Sequence, residues 1–471
     1  MIDGNILKNI RKHYDSYAKE RHQWIRKNKY YHGQMLKYYS FLVPEGSRVL
    51  ELGCGIGYII GSLKPSYGVG VDFSGETIKA ARKSYPGIKF VCSAYEDFST
   101  KEKFDYIIIS GILSITNMQK LLQNIKKSCN PDTRIIICEY NRIWSPLLRL
   151  SEKLRLKMPE VKINELAVKD IENIININGY QLIKRDKFGL MPKYIPILSA
   201  FFNKVLAKLP LINSLCLNQF LIFRLNEAPK DAKKVSVVLT CKDEEGNIEE
   251  LVKRTPSMGG HTELVFVEGG SKDNTYGKIQ EMIKKYPKKD IKLLKQKGIG
   301  PKDAIYTGFG HSKGDFIILL EADLTTPPEE ISYVWDIYKK GYGEYVQGSR
   351  LVYRMNKKAM PKLNYFGNGM FAKIFTWIVG QRFTDTLSGV KAMSKERYRQ
   401  FEKQKNFFRD LDPFGDFEMI FWCMKNNLKL VEVPITYLPR KYGETKIKAV
   451  KHGWMLLKIS LKAMKLFKFR V

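Results

Sequence analysis

Short apolar runs alternate with amphipathic helical stretches in two separate parts of the chain. This alternation is typical of a parallel sheet covered by helices, because strands buried on both faces read as continuous apolar runs. The same rhythm begins again in the second half, so we predict an α/β protein with two doubly wound domains. The predicted strands are residues 48–52, 68–72, 89–92, 106–110, 134–139 and 219–225 in the first half, and 235–240, 263–268, 291–295 and 316–321 in the second.

A polar stretch separates the two halves. Residues 226–234 lack apolar periodicity and contain Pro229, a composition typical of a linker. We therefore predict one domain at residues 1–225 and a second at 235–471, joined by a linker at 226–234.

The charge of the chain is strongly basic and evenly spread. The 80 Lys and Arg residues outnumber the 48 Asp and Glu residues, giving a formal net charge of +32. The excess is +16 up to Lys230 and +16 beyond it. Such an excess favours an anionic partner, which nucleic acid, phospholipid head groups or phosphorylated substrates would each provide.

Cysteine spacing and hydropathy bear on the compartment. The seven cysteines show no paired spacing and no apolar leader follows the first basic residues, so we expect reduced thiols in a cytoplasmic protein without secretion. A spanning helix needs roughly 18 uninterrupted apolar residues, and no stretch reaches this length. The nearest, residues 194–223, is interrupted by Lys204, Lys208 and Pro210 and is suited to lying on a membrane rather than crossing it.

A glycine-rich loop follows the first predicted strand. Gly53, Gly55 and Gly57 allow a tight turn and close approach to a ligand, and the helix predicted from Tyr58 would point its N-terminal amides at the same crevice. Asp72 ends the next strand, where an acid accepts hydrogen bonds from ribose hydroxyls. The spacing of the third glycine differs from that of the dinucleotide fingerprint, which counts against a nicotinamide cofactor.

At these residues the first half resembles the class I S-adenosylmethionine-dependent methyltransferases, which have a Rossmann-like fold. Residues 51–57 match the Glu/Asp-x-Gly-x-Gly-x-Gly motif, and the resemblance covers roughly residues 1–225. It implies S-adenosylmethionine as cofactor and does not indicate the methyl acceptor. The cofactor-binding residues that it implies are Glu51, Gly53, Gly55, Gly57 and Asp72, with Ser93 and Ala94 at the adenine.

Four aromatic residues and histidines stand near the start of the chain: His13, Tyr14, Tyr17 and His32. They would either form a lid over the cofactor or pack on the edge of the sheet. Packing is the commoner role of aromatic residues.

Two acids end a strongly apolar strand in the second half. Glu321 and Asp323 follow residues 316–320, and burying such acids is unfavourable without a cation or another partner. Hard divalent cations prefer carboxylate oxygens, and such a cation neutralises a departing diphosphate. Taken alone, the pair is either a metal site or two solvated acids at a strand end.

The motifs around this pair resemble, in order, those of family 2 glycosyltransferases. The resemblance is to the dolichol-phosphate-mannose-synthase-like branch and covers nearly all of residues 234–447. It implies a nucleotide-diphospho-sugar transferase (GT-A) fold and an inverting reaction. The matching segments are 235–248, 265–275, 321–323, 347–350, 385–389, 416–418 and 443–446.

The same resemblance implies roles for individual residues. A hydroxyl acceptor would need a carboxylate to remove its proton, whereas a lipid phosphate already carries the attacking anion. The implied residues are Asp243, Glu245, Glu268, Asp273, Glu321 and Asp323 for the nucleotide sugar; Glu321 and Asp323 for Mn²⁺ or Mg²⁺; Arg350, Arg440 and Lys446 for phosphate; and Asp323, Asp385, Asp416 and Glu418 for catalysis.

The end of the chain predicts an amphipathic helix at a lipid surface. Lysines 451, 458, 462 and 465 fall on one helical stripe, and Trp454, Leu457, Leu461 and Met464 on a neighbouring stripe, an arrangement that lets the lysines meet head groups. Residues 366–379 are a second candidate. The alternative is that both helices pack on their own domain.

Three functions follow from these patterns. The first is a bifunctional enzyme at the cytoplasmic membrane face: a methyltransferase fused to a glycosyltransferase that acts on a polyprenyl phosphate, glycolipid or surface glycan. The second is an RNA-directed methyltransferase with a degenerate glycosyltransferase domain. We do not expect nucleic acid as a partner, because no aromatic-basic RNA module is found. The third is a non-catalytic membrane scaffold, since Glu268-Gly269 and Glu321 depart from the family pattern of aspartates.

Overall fold

The structure is a computed structural model. It describes residues 4–161, 163–164, 166–229, 233–355, 359–405, 412–442 and 449–469. Lys446 with its segment 443–446, and residues 230–232 of the predicted linker, lie outside the described residues. The chain forms two compact units: the first comprises residues 1–226 and 468–471, and the second residues 227–467.

The first unit is built on a seven-stranded sheet with the strand order β3-β2-β1-β4-β5-β7-β6. The first five strands pair in parallel, and β7 runs antiparallel to both of its neighbours. The strands are β1 Arg48–Leu52, β2 Tyr67–Asp72, β3 Lys89–Cys92, β4 Tyr106–Ser110, β5 Arg134–Tyr140, β6 Tyr180–Phe188 and β7 Asn218–Leu225.

Both faces of this sheet are buried. Alternate residues of one strand enter different cores: Ile107 and Ile109 pack in one core, and Ile108 in the other. This two-sided burial explains the continuous apolar runs of the sequence. The helices are α1 Gly4–Tyr17, α2 Arg21–Lys27, α3 Lys29–Leu42, α4 Tyr58–Ser62, α5 Gly75–Ser84, α6 Met118–Ile125, α7 Ser145–Lys153, α8 Val168–Ile177 and α9 Leu198–Lys204.

The second unit also has a seven-stranded sheet, with the order β10-β9-β8-β11-β13-β12-β14. Here β13 runs antiparallel to β11 and β12, and the other pairs are parallel. The strands are β8 Lys234–Cys241, β9 His261–Glu268, β10 Asp290–Lys295, β11 Phe316–Glu321, β12 Tyr345–Ser349, β13 Lys391–Ser394 and β14 Leu430–Pro434.

Helices cover this sheet, and one lies very close to it. In α12, a Cβ atom placed on Gly308 would come within 2.3 Å of the Val238 Cγ1 atom of β8, so only a glycine fits there. The helices are α10 Ile248–Arg254, α11 Thr275–Lys285, α12 Pro301–His311, α13 Ile331–Lys339, α14 Lys362–Val379, α15 Lys395–Gln404, α16 Asp416–Lys425 and α17 Ala449–Ala463.

The fold class predicted from the sequence is confirmed. All ten predicted strands are present, with ends shifted by two residues at most. Each sheet is mainly parallel and also contains one antiparallel strand, β7 in the first unit and β13 in the second. Strands β6, β12, β13 and β14 were not predicted. Among the described residues, every helix is either too short or too polar to cross a membrane.

We predict that Gly308→Ala destabilises the second unit by about 1–3 kcal/mol, because the added methyl group overpacks the contact between α12 and β8. Gly310 lies in the same helix, and a Cβ atom there would meet no atom within 4 Å. Gly310→Ala is therefore the matched control, and it should leave stability unchanged or raise it slightly. Denaturant unfolding of both variants measures the difference, and equal midpoints would contradict the prediction.

Candidate active sites

The glycine-rich loop of the first unit lies at the carboxyl end of β1. Gly53, Gly55 and Gly57 all have positive φ angles, of 84°, 53° and 77°, which other residues adopt only with strain. A Cβ atom on Gly57 would also lie 2.7 Å from the Phe90 Cζ atom. The backbone conformation and the close packing therefore both require glycine in this loop.

Asp72 organises this loop from the neighbouring strand. Its carboxylate accepts hydrogen bonds from the backbone N–H groups of Gly55 and Ser74, both at 3.0 Å, and from the Tyr95 hydroxyl at 3.4 Å. Burial raises the pKa of Asp72, and these hydrogen bonds oppose the shift. Asp72 thus holds the glycine-rich loop and the beginning of the next helix together.

Glu51 is the buried acid before the loop. Its Oε2 atom accepts a hydrogen bond from the Ile60 N–H group at 3.0 Å, in the first turn of α4. Burial raises the pKa of Glu51 to about 8, although the Ile60 hydrogen bond favours the ionised form. A cationic ligand group beside this carboxyl would favour ionisation further.

A cavity of about 400 Å³ opens beside these residues. Glu51, Gly53 and Asp72 contribute to its wall, whereas Ser93 and Ala94 are not among the described residues that line it. Tyr95, the next residue in the chain, does line it. Aromatic side chains dominate the rest of the wall and include Tyr14, Trp24, Tyr31, Tyr58, Tyr140 and Trp144.

The N-terminal helices supply part of this wall. Tyr14 and His32 line the cavity, whereas the His13 ring packs against Tyr14 and Tyr17 and lies 3.2 Å from the Pro159 carbonyl oxygen. Burial and the charge of Arg21 lower the pKa of His32 to about 4. The predicted lid and packing roles are thus divided among the four residues.

Arg21 was missed in the sequence. It lines the cavity, and its Nη2 atom lies 3.2 Å from the position that a Gly55 Cβ atom would occupy. Its charge favours the ionised forms of Glu51 and Asp72. No motif marks this arginine, because it reaches the loop from α2 through tertiary packing.

In the second unit, the loops after β8 and β9 are interlocked through reciprocal hydrogen bonds. The Lys272 N–H donates to Asp243 Oδ1 at 2.6 Å, and the Asn274 N–H donates to Glu245 Oε2 at 3.2 Å. In the opposite direction, the Glu245 N–H donates to Asp273 Oδ2 at 3.1 Å. Three of the predicted nucleotide-binding acids therefore shape these two loops.

Two further acids stabilise the same loops. Glu268 is buried and accepts a hydrogen bond from the Ser271 N–H group at 2.5 Å. Glu244, which was not predicted, is buried and accepts a hydrogen bond from the Asn247 side chain at 2.7 Å. The strand ends carry a dense set of acids, and local donors hold most of them in place.

Glu321 and Asp323 lie at the end of β11, beside these loops. Asp323 is buried, accepts hydrogen bonds from the N–H and hydroxyl groups of Thr325, and forms an ion pair with Arg440. Glu321 is accessible to solvent, but its carboxyl group also packs closely against the backbone of Gly389. Desolvation by the surrounding protein and the charge of Asp323 raise the pKa of Glu321 to about 7. Within the described chain, no cluster of three or more His, Cys, Asp or Glu side chains is arranged as a metal site.

Arg440 joins two strand ends. Besides its ion pair with Asp323, it lies 3.5 Å from a carboxylate oxygen of Glu244 in the loop after β8. It therefore places a positive charge between the loop after β8 and the end of β11. A positive charge in this position is suited to binding a diphosphate.

Arg350 and Asp385 form a buried, bidentate ion pair. The Arg350 Nε and Nη2 atoms donate to the two Asp385 oxygens at 2.6 and 2.8 Å, and the guanidinium group stacks over the Tyr437 ring. Asn368 donates to the same carboxylate at 2.6 Å. Burial alone would raise the pKa of Asp385, but these partners lower it to about 2. Asp385 therefore fixes the position of the Arg350 guanidinium group, and the catalytic role predicted for it from the sequence stays a prediction.

Asp416 and Glu418 are also paired with cations. The Lys391 Nζ atom lies 2.5 Å from Asp416, and the Lys302 Nζ atom lies 3.1 Å from Glu418. The Tyr306 hydroxyl donates to Glu418 at 3.2 Å. Each carboxylate predicted on the acceptor side thus forms an ion pair with a neighbouring lysine or arginine.

Family models divide the chain in the same way as its two sheets. A model described as glycosyl transferase family 2 matches residues 236–408, and a model described as a methyltransferase domain matches residues 44–187. Both kinds of domain recognised in the sequence are therefore confirmed.

Two solved structures resemble the units at low sequence identity. One is a possible histamine N-methyltransferase from Thermotoga maritima, described as S-adenosylmethionine-dependent, which is 14% identical to this chain with a TM-score of 0.36. The match covers 46% of this chain and 100% of that chain. Glucosyl-3-phosphoglycerate synthase from Mycobacterium tuberculosis, solved with Mn²⁺ and UDP-glucose, is 14% identical, with 50% of this chain and 81% of that chain covered and a TM-score of 0.36.

Characterised relatives match the second half. An undecaprenyl-phosphate 4-deoxy-4-formamido-L-arabinose transferase from Edwardsiella ictaluri is 37% identical over 117 residues, 24% of this chain and 36% of the relative. A dolichol-phosphate mannosyltransferase from Pyrococcus furiosus is 32% identical over 250 residues, 50% of this chain and 68% of the relative. The chain therefore belongs to the family 2 glycosyltransferases and carries a methyltransferase domain ahead of its glycosyltransferase domain.

Proposed function

We propose that the second unit transfers a sugar, with inversion, from a nucleotide-diphosphate sugar to a polyprenyl phosphate. The observation that carries this proposal is the meeting of Glu321, Asp323 and Arg440 beside the interlocked loops at the carboxyl ends of β8, β9 and β11. Ligands of open α/β sheets bind at this edge. Two of the relatives are named for transfer to lipid phosphates.

The donor set at the end of β11 fits a divalent cation. Glu321 and Asp323 offer hard oxygen atoms. Desolvation, and after it the charge of Asp323, raise the pKa of Glu321, so a cation would be favourable there. These two residues would hold Mn²⁺ or Mg²⁺, which would neutralise charge on the departing diphosphate. Arg440 would bind the same diphosphate from the side of Glu244.

Polyprenyl phosphate fits this site better than a hydroxyl acceptor. A hydroxyl group must give up its proton to a base, whereas Asp385, Asp416 and Glu418 are each engaged in an ion pair with an arginine or a lysine. A lipid phosphate brings its own anionic oxygen. In this assignment Asp385 orients Arg350, which faces the acceptor phosphate.

For the first unit we propose S-adenosylmethionine-dependent methyl transfer in the same pathway. Glu51 would bind the ammonium group of the cofactor, and Asp72 its ribose, because both residues line the cavity. Both assignments rest on the position of these acids at the ends of adjacent parallel strands.

We further propose that the second unit attaches to the cytoplasmic face of an anionic membrane through α17. Val450, Trp454, Leu457 and Leu461 are exposed at helical spacing, and Lys451, Lys458 and Lys465 are exposed on the same helical stretch. In α14, the apolar residues Leu363, Phe366 and Met370 are exposed as well. Apolar faces flanked by lysines are suited to a lipid surface.

Asp323→Asn should reduce sugar transfer by a factor on the order of 100 or more, because the diphosphate loses its charge compensation. Release of nucleotide diphosphate from a panel of nucleotide sugars, with Mn²⁺ and polyprenyl phosphate, measures the rate. The control is Asp290→Asn. Asp290 forms an exposed pair with His261, and this variant should retain activity. Unchanged turnover in Asp323→Asn, or release that does not depend on the lipid phosphate, would contradict the proposal.

Binding of S-adenosylmethionine should strengthen as the pH rises from about 6 to 8, by at most about tenfold per pH unit, because binding favours ionised Glu51. In the free protein the pKa of Glu51 is raised to about 8. The carboxyl is therefore largely protonated at neutral pH, and binding must release that proton. Calorimetric titration in buffers of different ionisation enthalpy measures the release. Glu51→Gln should abolish it, and an identical pH profile in this variant would exclude the assignment.

Trp454→Ser combined with Leu461→Ser should weaken binding to vesicles of phosphatidylcholine and phosphatidylglycerol by about tenfold or more. Higher salt should weaken binding of the parent chain, since the lysines act electrostatically. Tyr333→Ser, which removes an exposed aromatic residue from α13, serves as the control. Cosedimentation measures all three proteins, and equal binding would reject attachment through α17.

A further inference from the structure

Helix α7 of the first unit and the residues that flank it expose apolar side chains that contribute little to the core. Ile143, Leu147, Leu150 and Leu154 are 63%, 57%, 50% and 60% exposed. Leu147 and Leu150 lie three residues apart on one face of α7, Ile143 lies in the 3-10 turn before it, and Leu154 directly follows it. A continuous face of this kind needs a partner, because soluble proteins rarely leave large apolar patches in water.

A second exposed apolar segment follows β6 in the chain. Tyr194, Ile197, Phe201 and Leu211 are between 49% and 88% exposed. Ile197 has a φ angle of +63°, a conformation that is strained for a β-branched residue. The segment therefore holds its most exposed isoleucine at a cost in folding energy, without burying it.

The two segments meet at the mouth of the cavity. The Trp144 Nε1 atom donates to the Leu215 carbonyl oxygen at 2.8 Å, which ties the beginning of α7 to the end of the second segment. Leu147 and Leu156 from one segment and Lys193 from the other line the cavity while remaining exposed. We name residues 142–156 and 193–215 the entrance surface.

Positive charge surrounds the apolar residues of the entrance surface. Arg142, Arg149, Lys153 and Lys204 are exposed. The only acid of the entrance surface, Glu152, forms an ion pair with Lys157 at 2.8 Å. Exposed leucines and isoleucines surrounded by cations are suited to an anionic bilayer. The apolar side chains would contact the acyl chains, and the cations would contact the lipid phosphate groups.

We propose that the entrance surface docks on an anionic lipid bilayer, from which the methyl acceptor enters the cavity of the first unit. Docking places the cavity mouth against the bilayer, since residues of the mouth belong to the docking surface. The acceptor is therefore a lipid-borne group. Its methylation rests on the proposed methyltransferase function, whereas the docking itself does not.

Hydrogen–deuterium exchange of the full chain tests the docking locally, independently of α17. Peptides covering α7 and residues 194–211 should gain protection with phosphatidylcholine–phosphatidylglycerol vesicles and not with phosphatidylcholine vesicles alone. Leu150→Ser combined with Leu154→Ser should reduce this protection at least about tenfold at limiting lipid. Neither leucine lines the cavity, so binding of S-adenosylmethionine should be unchanged.

The matched control is Ile177→Ser. Ile177 is 66% exposed at the end of α8, just before β6, at the sheet edge opposite the cavity, and this variant should keep full protection. The docking would be overturned if vesicles gave no protection, or if Ile177→Ser lost as much protection as the double leucine variant. It would also be overturned if protection appeared without vesicles and rose with protein concentration. That last result would make a second copy of the chain the partner. Docking by a chain that fails to bind S-adenosylmethionine would instead reject the methyltransferase function and the lipid-borne acceptor.

Discussion

A carboxylate at the end of a buried strand needs hydrogen-bond donors or a cation beside it, and this requirement determines the arrangement of residues around the sites of both units. An ionised carboxyl removed from water is costly without hydrogen bonds or a cation. In the first unit, Asp72 accepts hydrogen bonds from one backbone N–H group of the glycine-rich loop and from another just before α5. In the second unit, Arg440 forms an ion pair with Asp323 beside the end of β11, and cations also pair with Asp385, Asp416 and Glu418 outside the strands. The acids therefore determine the position of the loops and the basic side chains around each site.

This compensation also divides the acids by chemical role. Asp385, with a pKa of about 2, is a permanent anion that holds Arg350 in place. Glu51 and Glu321 have raised pKa values and respond strongly to a positive group placed beside them. Acidic residues thus hold neighbouring side chains in place at some positions and remain titratable near neutral pH at others.

The sequence predicted the parts of the fold that depend on local pattern. The ten strands with strong apolar runs were found, as were the glycine-rich loop after β1 and the acids after β11. Strands such as β13, with four residues, depend on pairing with distant partners, and hydrophobic periodicity does not report that pairing.

The candidate sites show the same limit. Arg21 reaches the glycine-rich loop from α2, and Arg350 finds Asp385 across 35 residues of sequence. Motif spacing identifies the acids of a site but not the arginine or lysine that contacts each of them in the folded chain. For Asp385 the sequence therefore marked the residue, whereas its bidentate contact with Arg350 is visible only in the tertiary structure.

The reciprocal hydrogen bonds between the loops after β8 and β9 have a consequence for ligand recognition. Asp243 and Glu245 hold the backbone after β9, while Asp273 holds the backbone after β8, so neither loop changes its conformation without the other. Their conformational freedom is lost when the chain folds rather than when a ligand arrives. The rim of the sheet is thereby preorganised, and more of the interaction energy with a nucleotide remains available as affinity.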